Sequence, residues 1–329
     1  MHMRSFPNKS KPCRKNAAGA GGVSLDLGCK RGAFWAFKHP TPSCQAAMRL
    51  LSYNIQYGYG RDGAYRLDRV ANVVKSADIA ALQEVDRHWQ RTGFDDQPDL
   101  LAKMLPDHHM VFAAAFDMDA AIPTNKSRRR QFGPMILSRW PILWSRTHLL
   151  PLHRMITPLN TQTCALEAVI AAPTGPLRVF SLHLAHVGVQ ERMAQIDLLL
   201  SLPATGGPWS GTDDEASRNW TESQPEPPCP TSTIWMGDFN MEPGSAEYHR
   251  LVGDAPYHPG AVYADKWVDA VAYSGARLHT HEKVIAGVRR LRQLDHVFVS
   301  PDLAPRLRSA HADAGEIASD HLPLWVQLD

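Results

Sequence analysis

Long apolar runs are missing from this 329-residue chain, and none approaches the roughly 20 residues a helix needs to cross a bilayer. A stable helical membrane anchor is therefore not expected. Cysteine is sparse: of five, Cys13, Cys29 and Cys44 fall in the first 47 residues, and only Cys164 and Cys229 lie beyond. That spacing makes neither a disulfide framework nor a zinc site, and it fits a reducing, cytoplasmic setting. No internal repeat is present, and the first residues lack the compact apolar core of a secretory signal. Positive charge is scarce where a general polyanion binder needs it. The net charge of +2 hides eight Lys/Arg against one acid (Asp26) in residues 1–47, which leaves 27 basic and 32 acidic residues for the rest. Non-specific nucleic-acid affinity comes from Lys/Arg–phosphate contacts, so this acidic balance counts against a bulk DNA partner.

What is present is enough apolar sequence, 44% of residues, to bury a large core. Residues 1–47 read as a flexible basic tail, or as sequence upstream of a natural start at Met48. From Met48 the pattern becomes regular. Met48–Ile55 and Asp78–Leu82 are strand-like, and between them Leu67, Val70, Val73, Val74 and Ala77 recur at helical spacing. Further strands are expected at Met135–Leu137, Cys164–Ala171, Leu177–Leu184, Thr233–Met236, Leu294–Val299 and Leu322–Leu328. A helix is expected over Val189–Leu202, with Met193, Ile196, Leu199 and Leu200 on its apolar face. Strands mixed with helices at hairpin-length gaps suggest an α/β body with mixed sheets over residues 48–329. The stretch 203–231 is dominated by Pro, Gly, Ser, Thr and acids, and reads as a disordered insertion.

Chemistry-bearing side chains recur at strand ends, where a sheet holds them rigidly at a rim. They are Asn54, Glu84, His183, Asp238 with Asn240, Asp295, and the pair Asp320-His321. Any one of them has an ordinary explanation: an acid after a strand is usually a cap or turn residue, and a lone histidine is usually structural. Together they supply what phosphate-ester hydrolysis needs: carboxylates for a hard cation, a base for water, and donors around an anionic phosphorus.

The ordered set resembles the endonuclease/exonuclease/phosphatase superfamily. The runs that carry the resemblance are Ser52-Tyr53-Asn54-Ile55, Leu82-Gln83-Glu84-Val85, Ile136-Leu137-Ser138-Arg139 and Ser181-Leu182-His183-Leu184. They continue with Gly237-Asp238-Phe239-Asn240, Leu294-Asp295-His296-Val297 and Ser319-Asp320-His321-Leu322-Pro323. The resemblance implies a four-layered sandwich of two mixed β-sheets flanked by helices. It also implies a Mg²⁺- or Mn²⁺-dependent phosphoesterase, with Glu84 as the metal-ligating carboxylate and Asn54 and Asp320 beside the ion. Asp238 would take the proton of the attacking water and Asn240 would orient water or phosphate. His183 and His321 would donate to phosphate oxygens, and Asp295 would hold His321 in the required tautomer.

His186 and Asp269 are weaker candidates for the substrate side, and Arg128-Arg129-Arg130 and Arg289-Arg290 with Arg292 are the basic clusters that flank catalytic runs. The run Phe132-Gly133-Pro134-Met135 departs from the Gly-Asn that relatives often carry. The expected partner is a phosphate-ester substrate and the expected state a monomer. A nuclease and a sphingomyelinase-like phospholipid phosphodiesterase are the alternatives. A non-catalytic binding protein on this fold would be expected to have lost one of these groups, and all are present.

Overall fold

The computed structural model describes residues 47–120, 127–202, 206–211, 214–254, 258 and 260–329. The tail assigned to residues 1–47 therefore lies outside the described residues, Ala47 excepted. In chain order the structure runs β1 (Met48–Asn54), α1 (Leu67–Val74), β2 (Ile79–Arg87), α2 (Gln97–Met104), β3 (His109–Phe112), β4 (Phe116–Asp119), β5 (Arg129–Ser138) and β6 (Ile142–Leu149). It continues with β7 (Cys164–Ala172), β8 (Gly175–His183), α3 (Val189–Ser201), α4 (Glu215–Trp220), β9 (Thr233–Asp238), α5 (Ala246–Val252), β10 (Val268–Asp269) and α6 (Ala270–Tyr273). The last elements are β11 (His281–Ile285), β12 (Val288–Arg292), β13 (Asp295–Val299), β14 (Leu307–Ala312) and β15 (Leu324–Leu328).

Among the described residues two large sheets form, ordered β14-β15-β1-β2-β5-β3 (with β4 also on β5) and β10-β13-β9-β8-β7-β6. Each mixes one parallel pair, β1–β2 or β8–β9, with antiparallel neighbours. The strands read as nearly continuous apolar runs because both faces of each sheet are covered. Leu50, Ile79 and Ile136 of the first sheet meet Leu166, Val179, Ile234, Met236 and Val297 of the second in the central core. On the outer side of the first sheet, Leu51, Tyr53 and Leu82 pack against Leu67, Val70 and Val74 of α1 and Leu101 of α2. On the outer side of the second, Phe180, Leu182 and Trp235 pack against Ile196 and Leu199 of α3 and Leu251 of α5. Helices, sheet, sheet, helices: this is the four-layered α/β sandwich the family resemblance implies. None of the described helices is long and apolar enough to cross a membrane.

Two local expectations change. The apolar face of α3 takes Ile196 and Leu199, but Leu200 is exposed, and Glu191 and Gln195 are buried instead. Both polar groups have partners: Gln195 accepts from the Ala185 amide, and Glu191 accepts from Asn160 Nδ2. Hydrogen bonding thus admits residues that a hydrophobicity count assigns to solvent. Within the stretch 203–231, the described residues include α4, capped by Asp214, and two anchors to β6. Trp144 Nε1 donates to the Pro228 carbonyl and Arg146 Nη2 to the Gly207 carbonyl. The second change, in β2, bears on the site.

Candidate active site

Sheet topology gathers the candidate residues at one rim. Asn54 ends β1 and is in register with Gln83 of β2. His183 ends β8 beside Asp238, the last residue of β9, and Asp238 in turn is in register with Asp295, the first residue of β13. Since β1 packs over β9 and β2 over β8, these strand ends from the two sheets face one another.

Glu84 arrives there by a backbone irregularity. The sequence places it at a strand end, whereas β2 runs on to Arg87. By simple alternation Glu84 would share the helix-covered face with Leu82. A bulge intervenes: Leu82 pairs with Met135 and Val85 with Gly133, so Gln83 and Glu84 together oppose Pro134. Pro134 has no amide hydrogen for the ladder, which favours a bulge at this place. Glu84 takes a left-handed φ of 61°, and its carboxylate meets the inward-facing Asn54, whose Nδ2 donates to Glu84 Oε1 at 3.0 Å. Such conformations cluster at functional sites, and Asn240 (φ 49°) and Tyr57 (φ 44°) share it.

Asn54 Nδ2 also donates to Asp238 Oδ2 at 3.1 Å, while its Oδ1 accepts from the Gln56 amide. The amide therefore positions the two carboxylates, with its oxygen engaged elsewhere. In the Gly-Asp-Phe-Asn run, Phe239 is fully buried, the Asn240 amide donates to Asp238 Oδ1 at 2.9 Å, and Asn240 Nδ2 donates to the Leu184 carbonyl. Asn240 thus fixes the turn and ties it to the end of β8.

Asp238 faces two imidazoles, His321 Nε2 at 3.7 Å and His183 Nε2 at 3.8 Å; His183 also stands 4.0 Å from Glu84 Oε1. Burial opposes the charge on Asp238, yet the two histidines and the hydrogen bonds from Asn240 and Asn54 hold it below the usual carboxylate range. His321 Nδ1 is 2.7 Å from Asp295 Oδ2. Burial alone would depress this imidazole, but Asp295 and Asp238 outweigh it and raise its pKa to about 10. Asp295 itself is pushed upward by burial, against the pull of His321. Two hydroxyls brace the group. Ser319 Oγ donates to the Asn54 carbonyl at 2.7 Å and accepts from the His321 amide, and Thr280 Oγ1 accepts from the amides of Leu294 and Asp295.

Asp320 sits on the same turn, where burial, Glu84 and Asp238 raise its pKa against the pull of His321. Two groups have potential ligand atoms all within 4.8 Å of one another, His281–Asp320–His321 and Asp238–Asp295–His321. Both include His321, whose Nδ1 is engaged by Asp295. For a hard cation the oxygen donors Glu84 and Asp320 are the better fit: they are carboxylates at a partly open rim whose mutual repulsion a dication would relieve.

His186 is exposed on the loop before α3. Asp269 is buried with both oxygens engaged, Oδ1 accepting from the Val271 amide and Oδ2 from Tyr248 Oη at 3.0 Å. It caps α6 and also lies 3.6 Å from His296 Nδ1, which gives it a structural part. Of the arginine clusters, Arg129 pairs with Asp117 and Arg289 with Glu282, while the Arg130 guanidinium lies over Trp89. Sequence reasoning missed Tyr57, His281, Thr280 and Ser319 as members of the site. The half-buried Tyr57 hydroxyl has its pKa raised by burial and by the charges of Glu84 and Asp320. His281 is neutral, its pKa depressed to about 4 by burial, His321 and Arg292. Only Ser319 had a signal, its place in the Ser-Asp-His run.

The profile of the Endonuclease/Exonuclease/phosphatase family matches residues 51–321. No curated protein matches the chain. Among solved structures, an endonuclease/exonuclease/phosphatase from Bacteroides vulgatus superposes with a TM-score of 0.56 at 19% identity, covering 87% of this chain and 99% of its own. A mannosyl-6-phosphatase from Bacteroides thetaiotaomicron gives 0.56 at 18% identity, with 86% and 100% covered. A 3′ phosphatase from Neisseria, bound to product DNA hairpin, gives 0.50 at 16% identity, with 86% and 100% covered. At these identities the likeness is one of fold.

Proposed function

Because the chain belongs to the endonuclease/exonuclease/phosphatase family, we propose that it hydrolyses phosphate esters, monoester or diester, with Mg²⁺ or Mn²⁺ held by Glu84 and Asp320. The observation that carries this reading is the convergence of Glu84, His183, Asp238 and the Asp295–His321 pair from both sheets on one rim. When bound, the cation would offset negative charge on the phosphate and the leaving oxygen.

The protein's own groups divide the remaining work. Asp238 is ionised at neutral pH and faces the cluster, so it is the group to receive the proton of an attacking water. His321, kept protonated by Asp295, donates through Nε2 to a phosphate oxygen as charge builds there. His183 stands on the other side of Asp238 and supplies a second donor. Asn54 aligns Glu84 with Asp238, and Asn240 keeps the Asp238 turn in place. Nothing in this set selects a leaving group, and the folds it resembles include a sugar phosphatase and a DNA 3′ phosphatase.

Turnover of p-nitrophenyl phosphate and bis-p-nitrophenyl phosphate, each with Mg²⁺, Mn²⁺ or EDTA, tests the reading. Cation-dependent release from at least one ester is expected; equal turnover in EDTA, or none with any ion, contradicts it. The pH profile gives a second check. If imidazolium His321 is the working form, activity falls as pH rises through its pKa near 10. Asp295→Asn removes the largest charge that raises this pKa, so the alkaline limb moves to lower pH. An unmoved limb in that variant would show that another group sets it.

A further inference from the structure

His281 adjoins the site without a part in the mechanism so far. It opens β11, is only 7% exposed, and its backbone bridges to that of His321. The two rings lie with centroids 4.8 Å apart, and ring nitrogens of both are within 4.8 Å of an Asp320 carboxylate oxygen. Its register partner across the hairpin is Arg292, whose Nη2 stands 3.2 Å from His281 Nδ1.

That contact decides a tautomer. A guanidinium has donors only, so Nδ1 must be the nitrogen with the lone pair, and the single ring proton sits on Nε2. Nε2–H is then the one ring donor of His281, and Nδ1 cannot coordinate a cation while its lone pair is turned to Arg292. The neighbouring His321 is a donor fixed the opposite way, through a carboxylate on its Nδ1. Resting on the phosphoesterase reading above, we propose that His281 is a further donor to the substrate's phosphate oxygens, held in its Nε2–H tautomer by Arg292 as a positioning residue.

The hairpin that carries both residues has its root in the catalytic strands. Thr280, just before β11, takes the Arg292 carbonyl on its amide and the Asp295 amide on its hydroxyl, and its own carbonyl accepts from the Leu322 amide. The same residue therefore fixes the base of Asp295, His321 and His281, a coupling expected if all three address one ligand.

The test uses the full chain with the ester and cation found active above. His281→Phe keeps a flat ring without a donor and is expected to lower kcat/KM roughly a hundred-fold, the scale for losing one donor to developing charge. His281→Gln places an amide N–H close to where Nε2–H stood and is expected to recover most of that loss. Nitrogen-15 NMR of the imidazoles reads the tautomer without reference to activity: Nδ1 of His281 should be unprotonated in the wild type, with tautomer exchange appearing in Arg292→Ala. Full activity in His281→Phe, a Gln variant no better than Phe, or a protonated Nδ1 would each overturn the proposal. The phosphoesterase reading fails separately, when the wild type and every ester and ion tried show no turnover.

Discussion

Asp238→Asn lowers kcat/KM for phosphate-ester hydrolysis by roughly three orders of magnitude, within the range for removing a positioned general base. Size and shape are retained: the single amide oxygen can still accept from the Asn240 amide, while the new NH2 would stand opposite Asn54 Nδ2, so one hydrogen bond is lost with the charge. What disappears is the charge between His183 and His321 and the acceptor for the water proton. His321→Ala removes the opposing donor and is expected to cost a comparable factor. Because the two groups act on one reaction centre, the double variant should be little worse than the poorer single. Circular dichroism and thermal melting check that the variants fold. A folded Asp238→Asn or His321→Ala enzyme with near-normal turnover would remove these residues from the roles given to them.

Much of this site was legible because its signals are local. Asn54, His183 and Asp238 end apolar strands, and sheet registry does the rest: His183 beside Asp238, and Asp238 beside Asp295. The Asp295–His321 pairing expected from the family motifs appears as a 2.7 Å contact. The α/β body with mixed sheets was likewise readable, since strands with both faces covered and amphipathic helices leave plain patterns, as in β1 and α1, whereas the four layers came from the family resemblance.

What stayed hidden depends on backbone detail or on chain-distant partners. A period-two count points Glu84 at the helical layer, and only the bulge opposite Pro134 redirects it. The orientation of Asn54 follows from Gln56, whose amide donates to Asn54 Oδ1. Asp269 matched a motif position, yet Tyr248 and the α6 amide claim both of its oxygens. His281 has no neighbours in sequence to mark it, because Arg292 and His321 reach it through the hairpin and the bridge. Edge strands such as β4 and β14 are half exposed and lack the apolar runs that reveal central ones.

Gly237→Ala is expected to destabilise the protein by about 3 kcal/mol or more, or to prevent folding, although its side chain would be the smallest possible addition. A Cβ at Gly237 would lie 2.0 Å from the Leu182 carbonyl oxygen and 2.7 Å from its carbon. Both are backbone atoms of β8, in register with Gly237 and buried at the centre of the second sheet, so no flexible side chain can yield. Relief requires the parallel β8–β9 pair to separate, and that displacement moves His183 and Asp238, which end those strands. Gly188→Ala is the control, because a Cβ there meets nothing within 4 Å. Urea unfolding should show a large fall in midpoint for Gly237→Ala and a small change for Gly188→Ala. Any soluble Gly237→Ala protein should also lose turnover, since the carboxylate that meets His321 is the next residue along. Equal midpoints for the two variants would mean that β8 and β9 do not approach so closely, and the explanation for glycine in the Gly-Asp-Phe-Asn run would fall with them.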